Sequence, residues 1–228
     1  MIVRRTDSRR PAARKADIRK PGLHPIVLPK PKPGRGMSVF AALLKRQTVR
    51  TIGIRKLPLQ VISNVLWAAC GVNRKNGPFG ILGITAASAS NSQEIDCYVV
   101  TKEGIYLYEP VSHRLDPVVA GDHRSLAIGS GQSKWGARAP VRLIYVVDLE
   151  KFSHAGYQEP GLWDPEIQKT YYCVDTGIIA GNVYLYAASE GLATWFHNCN
   201  KHAIEAKLKL RPGQRPLFGQ TIGYPVRG

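Results

Sequence analysis

The residues of this 228-residue chain best suited to grip an anion are Arg46, Thr48 and Arg50, with Gln47 between them and Lys45 before them. Two guanidinium groups two residues to either side of a hydroxyl can place several charge-assisted bonds on a phosphate. Cations at a helix end also simply offset the macrodipole, so spacing alone leaves both readings open. A second polar group, Ser88-Ala89-Ser90-Asn91-Ser92-Gln93, carries amides that match the mixed donors and acceptors of a heterocycle. The same composition serves ordinary turns. Glu190-Gly191 follows a long apolar segment. A glycine there either ends a helix at positive φ or lets a ring approach the backbone. Other chemistry is missing from the pattern. There is no G-x-S-x-G, G-x-G-x-x-G or H-E-x-x-H. His197, Cys199 and His202 form a cluster with no fourth ligand nearby, so no metal is expected. Asp175 and Glu190 stand too far apart along one helix to work as a carboxylate pair. An anion clamp and amide readers without a nucleophile or acid–base pair suit a flavin enzyme, in which the cofactor brings the chemistry and no side chain need be catalytic.

These groups must be positioned by elements that the hydrophobic pattern outlines. Ser38 is placed to cap a helix over residues 39–46, with Phe40, Leu43 and Leu44 on one face. Pro58 suits the first turn of a second helix, in which Val61, Ile62, Val65, Leu66 and Ala69 recur at helical spacing up to Gly71. Residues 72–91 are rich in Gly, Asn and Ser and without period, which predicts a long loop. Residues 95–101 and 105–109 alternate around Lys102-Glu103-Gly104 as a hairpin. Residues 141–148 predict a buried strand, and 150–166 an aromatic loop. The longest helix is predicted over 170–189, central and buried because Val174, Ile178, Val183, Leu185 and Tyr186 surround most of its circumference. A strand at 193–196, a helix at 202–208 and a strand at 218–223 complete an α+β order.

Composition bounds the rest. Hydrophobic residues make up 44%, enough for one sizeable core. Basic residues number 32 against 16 acidic, a net +16. Residues 1–36 hold eleven of those cations and two of the anions, with six prolines. They read as a flexible basic arm preceding a folded domain over 37–228. A nucleic-acid or anionic-surface tether is the functional alternative for the arm. No apolar run is long enough to span a membrane, and the first residues lack the apolar core of a secretory signal. Cys70, Cys97, Cys173 and Cys199 include no C-x-x-C and point to free thiols in a reducing, cytoplasmic compartment.

The order of these motifs resembles the FMN-dependent nitroreductase family. The resemblance runs through Lys45-Arg46-Gln47-Thr48-Val49-Arg50 and Leu66-Trp67-Ala68-Ala69-Cys70-Gly71-Val72-Asn73-Arg74. It continues in Thr85 to Glu94 (TAASASNSQE), in Asp175-Thr176-Gly177 through Asn182 to Glu190-Gly191-Leu192, and in Gly223-Tyr224-Pro225. It covers residues 37–228. The resemblance implies a central mixed sheet flanked by helices, in an intertwined homodimer. It implies FMN held by Arg46, Gln47, Thr48 and Arg50, with Ser88, Ala89 and Asn91 lining the isoalloxazine, partly from the second subunit, and the Glu190-Gly191 backbone near N5. It implies ping-pong transfer of hydride from NADH or NADPH through the flavin to an electron-poor small molecule such as a nitro compound or quinone. A non-redox or weakly redox protein on the same scaffold, whose basic arm binds nucleic acid or an anionic surface, is the alternative. Two positions depart from the motif: Ala87 stands where the family has proline, and Gly181 where it has glutamine.

Overall fold

The computed structural model of the chain describes residues 22–34, 36–132 and 139–226. In chain order its elements are β1 (Ile26–Val27), α1 (Val39–Lys45), α2 (Leu59–Cys70), β2 (Val72–Arg74), β3 (Gly83–Ile84), β4 (Ile95–Val100), β5 (Gly104–Glu109) and β6 (Arg114–Ala120). They continue with β7 (Val141–Asp148), α3 (Pro165–Ser189), β8 (Ala193–His197), α4 (Lys201–Leu208) and β9 (Gln214–Gly223). Seven strands form one sheet in the order β1-β6-β5-β4-β7-β9-β8, and β2 pairs β3 in a small separate one.

Alternation within the central strands builds two cores. Cys97 and Val99 of β4, with Leu143, Tyr145 and Val147 of β7, face Leu66 and Ala69 of α2 and Ile179, Val183 and Ala187 of α3. Tyr98 and Val100, with Ile144 and Val146, pack on the other side against Ile204 and Leu208 of α4. β7 is therefore covered on both faces, which is why its sequence is an unbroken apolar run. Every pairing among the described strands is antiparallel, in place of the mixed sheet the resemblance implies. The reason is topological: α3 is a long crossover that returns β8 in the direction of β7, but β9 inserts between them and pairs antiparallel to both.

Several elements differ from the sequence pattern, each for a local reason. α3 begins at Pro165, because the Asp164 carboxylate accepts from the Glu166 and Ile167 N–H groups and proline suits the first helical position. Its buried residues, Tyr172, Asp175, Thr176, Ile179, Ala180, Val183 and Ala187, follow a single stripe, while Val174 and Ile178 on another side are exposed. β6 was hidden in the sequence by Pro117, which sits opposite Tyr106 where the register shifts. The expected loop over 72–91 contains β2 and β3.

Residues 22–34, counted with the basic arm on composition, pack onto the body. Ile26 and Val27 pair with β6, and Leu28 is 5% exposed. Ser63 Oγ donates to the Pro29 carbonyl at 2.5 Å, and Gln60 Nε2 to the Lys30 carbonyl at 2.9 Å. Apolar Leu23, Ile26 and Leu28 outweigh the neighbouring prolines, which are compatible with an extended edge segment. Residues 1–21 lie outside the described residues.

Candidate functional site

Arg46 is the residue at which α1 stops. Its N–H donates to the Ala42 carbonyl, but its ψ of 119° turns the chain outward. The strand-like segment that follows is docked by Val49 N–H on the Thr194 carbonyl of β8 at 3.0 Å. This places Thr48 Oγ1 3.0 Å from the Tyr184 hydroxyl of α3. The Tyr184 oxygen accepts from Phe196 N–H at 3.0 Å, so the tyrosine hydrogen is free to go to Thr48. With the tyrosine as donor, Thr48 keeps its own hydrogen for a ligand. The Arg46 guanidinium carbon lies 5.5 Å from the centre of the Tyr184 ring, and that of Arg50 5.6 Å from the Trp195 ring. Both cations are thus aligned on aromatic faces while Arg46, Gln47, Thr48 and Arg50 all remain exposed.

At the far end of α3 the chain closes in a Schellman arrangement. Leu192 N–H reaches back to the Ala187 carbonyl at 2.8 Å, and Gly191 takes φ +65°. A Cβ built on Gly191 would meet nothing within 4 Å. The Glu190-Gly191 backbone therefore borders open space just past the end of α3, the helix that carries Tyr184.

The polar cluster folds as a tight turn, Ala89–Asn91, with Ser90, Asn91 and Gln93 all left-handed at φ 48°, 56° and 51°. Such values are uncommon for residues with a Cβ and persist only where bonds over-determine them. Those bonds are present. Ser88 Oγ accepts from Gln93 N–H at 3.0 Å, and Gln93 Nε2 donates to the Leu82 carbonyl at 2.6 Å and to Asn91 Oδ1 at 3.0 Å. Asn91 Nδ2 donates to the same Leu82 carbonyl at 3.3 Å. The Asn91 amide is thus engaged in shaping the turn. Ala89 N–H donates to Asp175 Oδ2 of α3 at 2.9 Å.

Asp175 has a neighbour that sequence reasoning missed. Glu94, at the end of the turn, is 0% exposed and stands against Asp175. Burial, and then the Asp175 charge, push its carboxyl up to about 7. The Asp175 carboxyl is raised as well, by burial. Nothing in the linear sequence marks this pair, since a helix and a distant turn supply one carboxyl each. His197, by contrast, is structural: its Nδ1 lies 2.8 Å from the Asn198 carbonyl and its Nε2 2.8 Å from Thr221 Oγ1, and burial lowers its pKa to about 4.

The expected site residues thus fall into two groups. The turn Ser88–Asn91 meets α3 at Asp175, and the Arg46–Arg50 segment meets it at Tyr184, about 13 Å further along at helical rise. Glu190-Gly191 lies about 22 Å from Asp175 by the same measure. Arg46, Thr48, Arg50, Glu190 and Gly191 form one end of the arrangement, and Ser88, Ala89 and Asn91 the other.

Comparison with known proteins agrees with this architecture. Residues 43–224 match the nitroreductase family. A Methanocaldococcus jannaschii protein named as a nitroreductase is 30% identical over 159 residues, which is 67% of this chain and 74% of that one. A Ralstonia eutropha crystal structure, also named as a nitroreductase, superposes with a TM-score of 0.75 at 31% identity over 90% of each chain. An Escherichia coli microcin synthetase complex shares the fold at a TM-score of 0.62 and 18% identity, over 95% of this chain and 80% of that one. With its two-faced antiparallel sheet, its long crossover helix and its matched residues, the chain belongs to the nitroreductase family.

Proposed function

We propose that the protein is an FMN-dependent oxidoreductase that uses NADH or NADPH to reduce an electron-poor small molecule, a nitro compound or quinone in character. The observations that carry this reading are the exposed Arg46–Thr48–Arg50 clamp, docked on Tyr184 of α3, and the open Gly191 backbone just past the end of that helix. Two cations and an exposed hydroxyl suit a phosphate monoester. A glycine backbone with no side chain above it suits a flat ring. The residues therefore fit the cofactor. FMN, when bound, supplies the hydride chemistry. The chain supplies binding and orientation. Arg46 and Arg50 would neutralise the phosphate and negative charge on the pyrimidine edge, and the Thr48 hydroxyl, held by Tyr184, would add a hydrogen bond. The Glu190-Gly191 backbone and the Ser88–Asn91 turn would line the ring.

The reading includes a homodimer. Phe40 and Leu44 of α1 are 82% and 89% exposed, and Val174 and Ile178 of α3 are exposed as well. Apolar surface of this kind is expected to be covered. A second copy would also bring one chain's Ser88–Asn91 turn toward the other's clamp, joining the two groups of site residues that stand apart along α3.

The test is reconstitution. Purified apo-protein incubated with FMN and desalted should retain flavin stoichiometrically and oxidise NADH or NADPH in the presence of a nitroaromatic or quinone. Protein that stays colourless after this treatment, while folded and dimeric, would overturn the proposal.

A further inference from the structure

The buried carboxyl pair at the base of the Ser88–Gln93 turn carries an inference that rests on the flavin reading of this site and extends it. Ser92 Oγ donates to Glu94 Oε2 at 2.7 Å. The other oxygen, Oε1, is buried with no donor group to serve it. The Glu94 carboxyl interacts with that of Asp175, itself an acceptor of the Ala89 N–H at 2.9 Å. Two ionised carboxylates in contact inside the protein would repel and leave Oε1 unsatisfied. A single proton resolves both difficulties. Placed on Glu94 Oε1, it is donated to Asp175, which stays ionised and keeps its charge-assisted bond to the Ala89 N–H.

The other titratable groups around the pair do not substitute for that proton. Lys151 donates to the Gln93 carbonyl at 3.2 Å but is paired with Asp96 at 2.5 Å. Tyr171, one turn before Asp175, interacts with Glu159. Glu159 in turn accepts from Ser90 Oγ at 3.3 Å.

We propose that Glu94 is a positioning residue for the flavin site: its carboxyl holds a proton that it donates to Asp175, and this one-proton pair anchors the left-handed Ser88–Gln93 turn through the Ala89 N–H. The turn is stable in its ring-binding shape while the proton is present. Loss of the proton leaves two charges in one buried space and releases the turn. The proton is lost as the pH rises through about 7.

The variant Glu94→Gln separates this from a merely structural role, because its amide oxygen can accept from Ser92 while its N–H₂ donates permanently to Asp175. Two measurements on wild type and variant decide the matter. The first uses apo-protein without cofactor: infrared spectra across neutral pH. A buried protonated-carboxyl band should be present below the transition, disappear as pH rises, and be absent from Glu94→Gln. The second is FMN titration by fluorescence quenching. Wild-type affinity should fall at least about tenfold through the transition, while Glu94→Gln should match the low-pH wild type and stay flat. Asp175→Asn removes the neighbouring charge and should shift the infrared transition to lower pH, which keeps the test available if Glu94→Gln does not fold.

A carboxyl band unchanged in Glu94→Gln, or an FMN affinity in that variant with the wild-type pH dependence, would overturn the proposal. A band that behaves as expected in protein that never binds FMN would locate the failure in the cofactor reading, and would overturn the positioning role with it.

Discussion

Arg46 can be tested against two physical roles. Removing a charge-assisted bond to phosphate costs about 1.5–3 kcal/mol, so Arg46→Ala should weaken FMN binding about ten- to a hundredfold in a titration of apo-protein. The same change removes a cation lying over the Tyr184 ring at an exposed site, which costs only about 0.5–1 kcal/mol of stability. Equal losses in binding and in denaturant midpoint would mean that Arg46 serves the fold alone. Gly191 gives the complementary case. Its φ of +65° lies in the region where a Cβ is strained, at about 1–2 kcal/mol per residue. Gly191→Ala should therefore lower stability by about that amount. Because the space beside it is empty of protein, any additional loss of FMN affinity measures how closely a ring approaches that backbone.

At the scale of elements, α1 is the informative one. Ser38 caps it, its Oγ accepting from Ala41 N–H at 3.2 Å, and the helix ends seven residues later with only Ala42 buried. A helix this short is marginal on its own, and packing must hold it. Leu44→Glu tests whether the packing comes from a second copy. On a solvent-facing helix such a change alters stability by about 0.5 kcal/mol or less. In a dimer it places a carboxylate in an apolar contact, and light scattering at micromolar concentration should then show the monomer mass for the variant and the dimer mass for wild type. An unchanged mass in both would leave α1 without the role assigned to it. The Glu94–Asp175 pair acts at this scale too, since it ties the turn before β4 to the middle of α3.

For the whole molecule, the boundary between arm and body can be set by truncation. The net +16 is concentrated at the start of the chain, but β1 and Leu28 belong to the packed structure. Removing residues 1–21 should leave FMN binding and thermal stability nearly unchanged, while reducing any salt-sensitive binding to polyanions. Removing residues 1–30 also takes away β1 and Leu28, whose burial is worth about 1.5–3 kcal/mol, and should lower the melting temperature. If both truncations melt alike, residues 22–30 contribute nothing to the body.

The sequence alone was sufficient wherever neighbouring residues decide the outcome. Ser38 as a cap, the 3.6-residue spacing of α2, the alternation that makes β4 and β5 a hairpin, and the glycine that ends α3 are all short-range signals, and each is where the residues indicate. The motifs that resemble the nitroreductase family were legible for the same reason, being runs of adjacent residues. Tertiary structure alone decided the rest. Ile26–Val27 become a strand only because β6 offers an edge, and Pro117 is tolerated only at a register shift. One face of α3 is buried while equally apolar Val174 and Ile178 are not, since hydrophobicity says that a residue will be covered but not by what. Asp175 looks along its own helix toward Glu190 in the sequence, yet its partner in the fold is Glu94. Burial and the approach of a like charge are properties of three-dimensional position, and they alone turn two ordinary carboxylates into a pair that shares a proton.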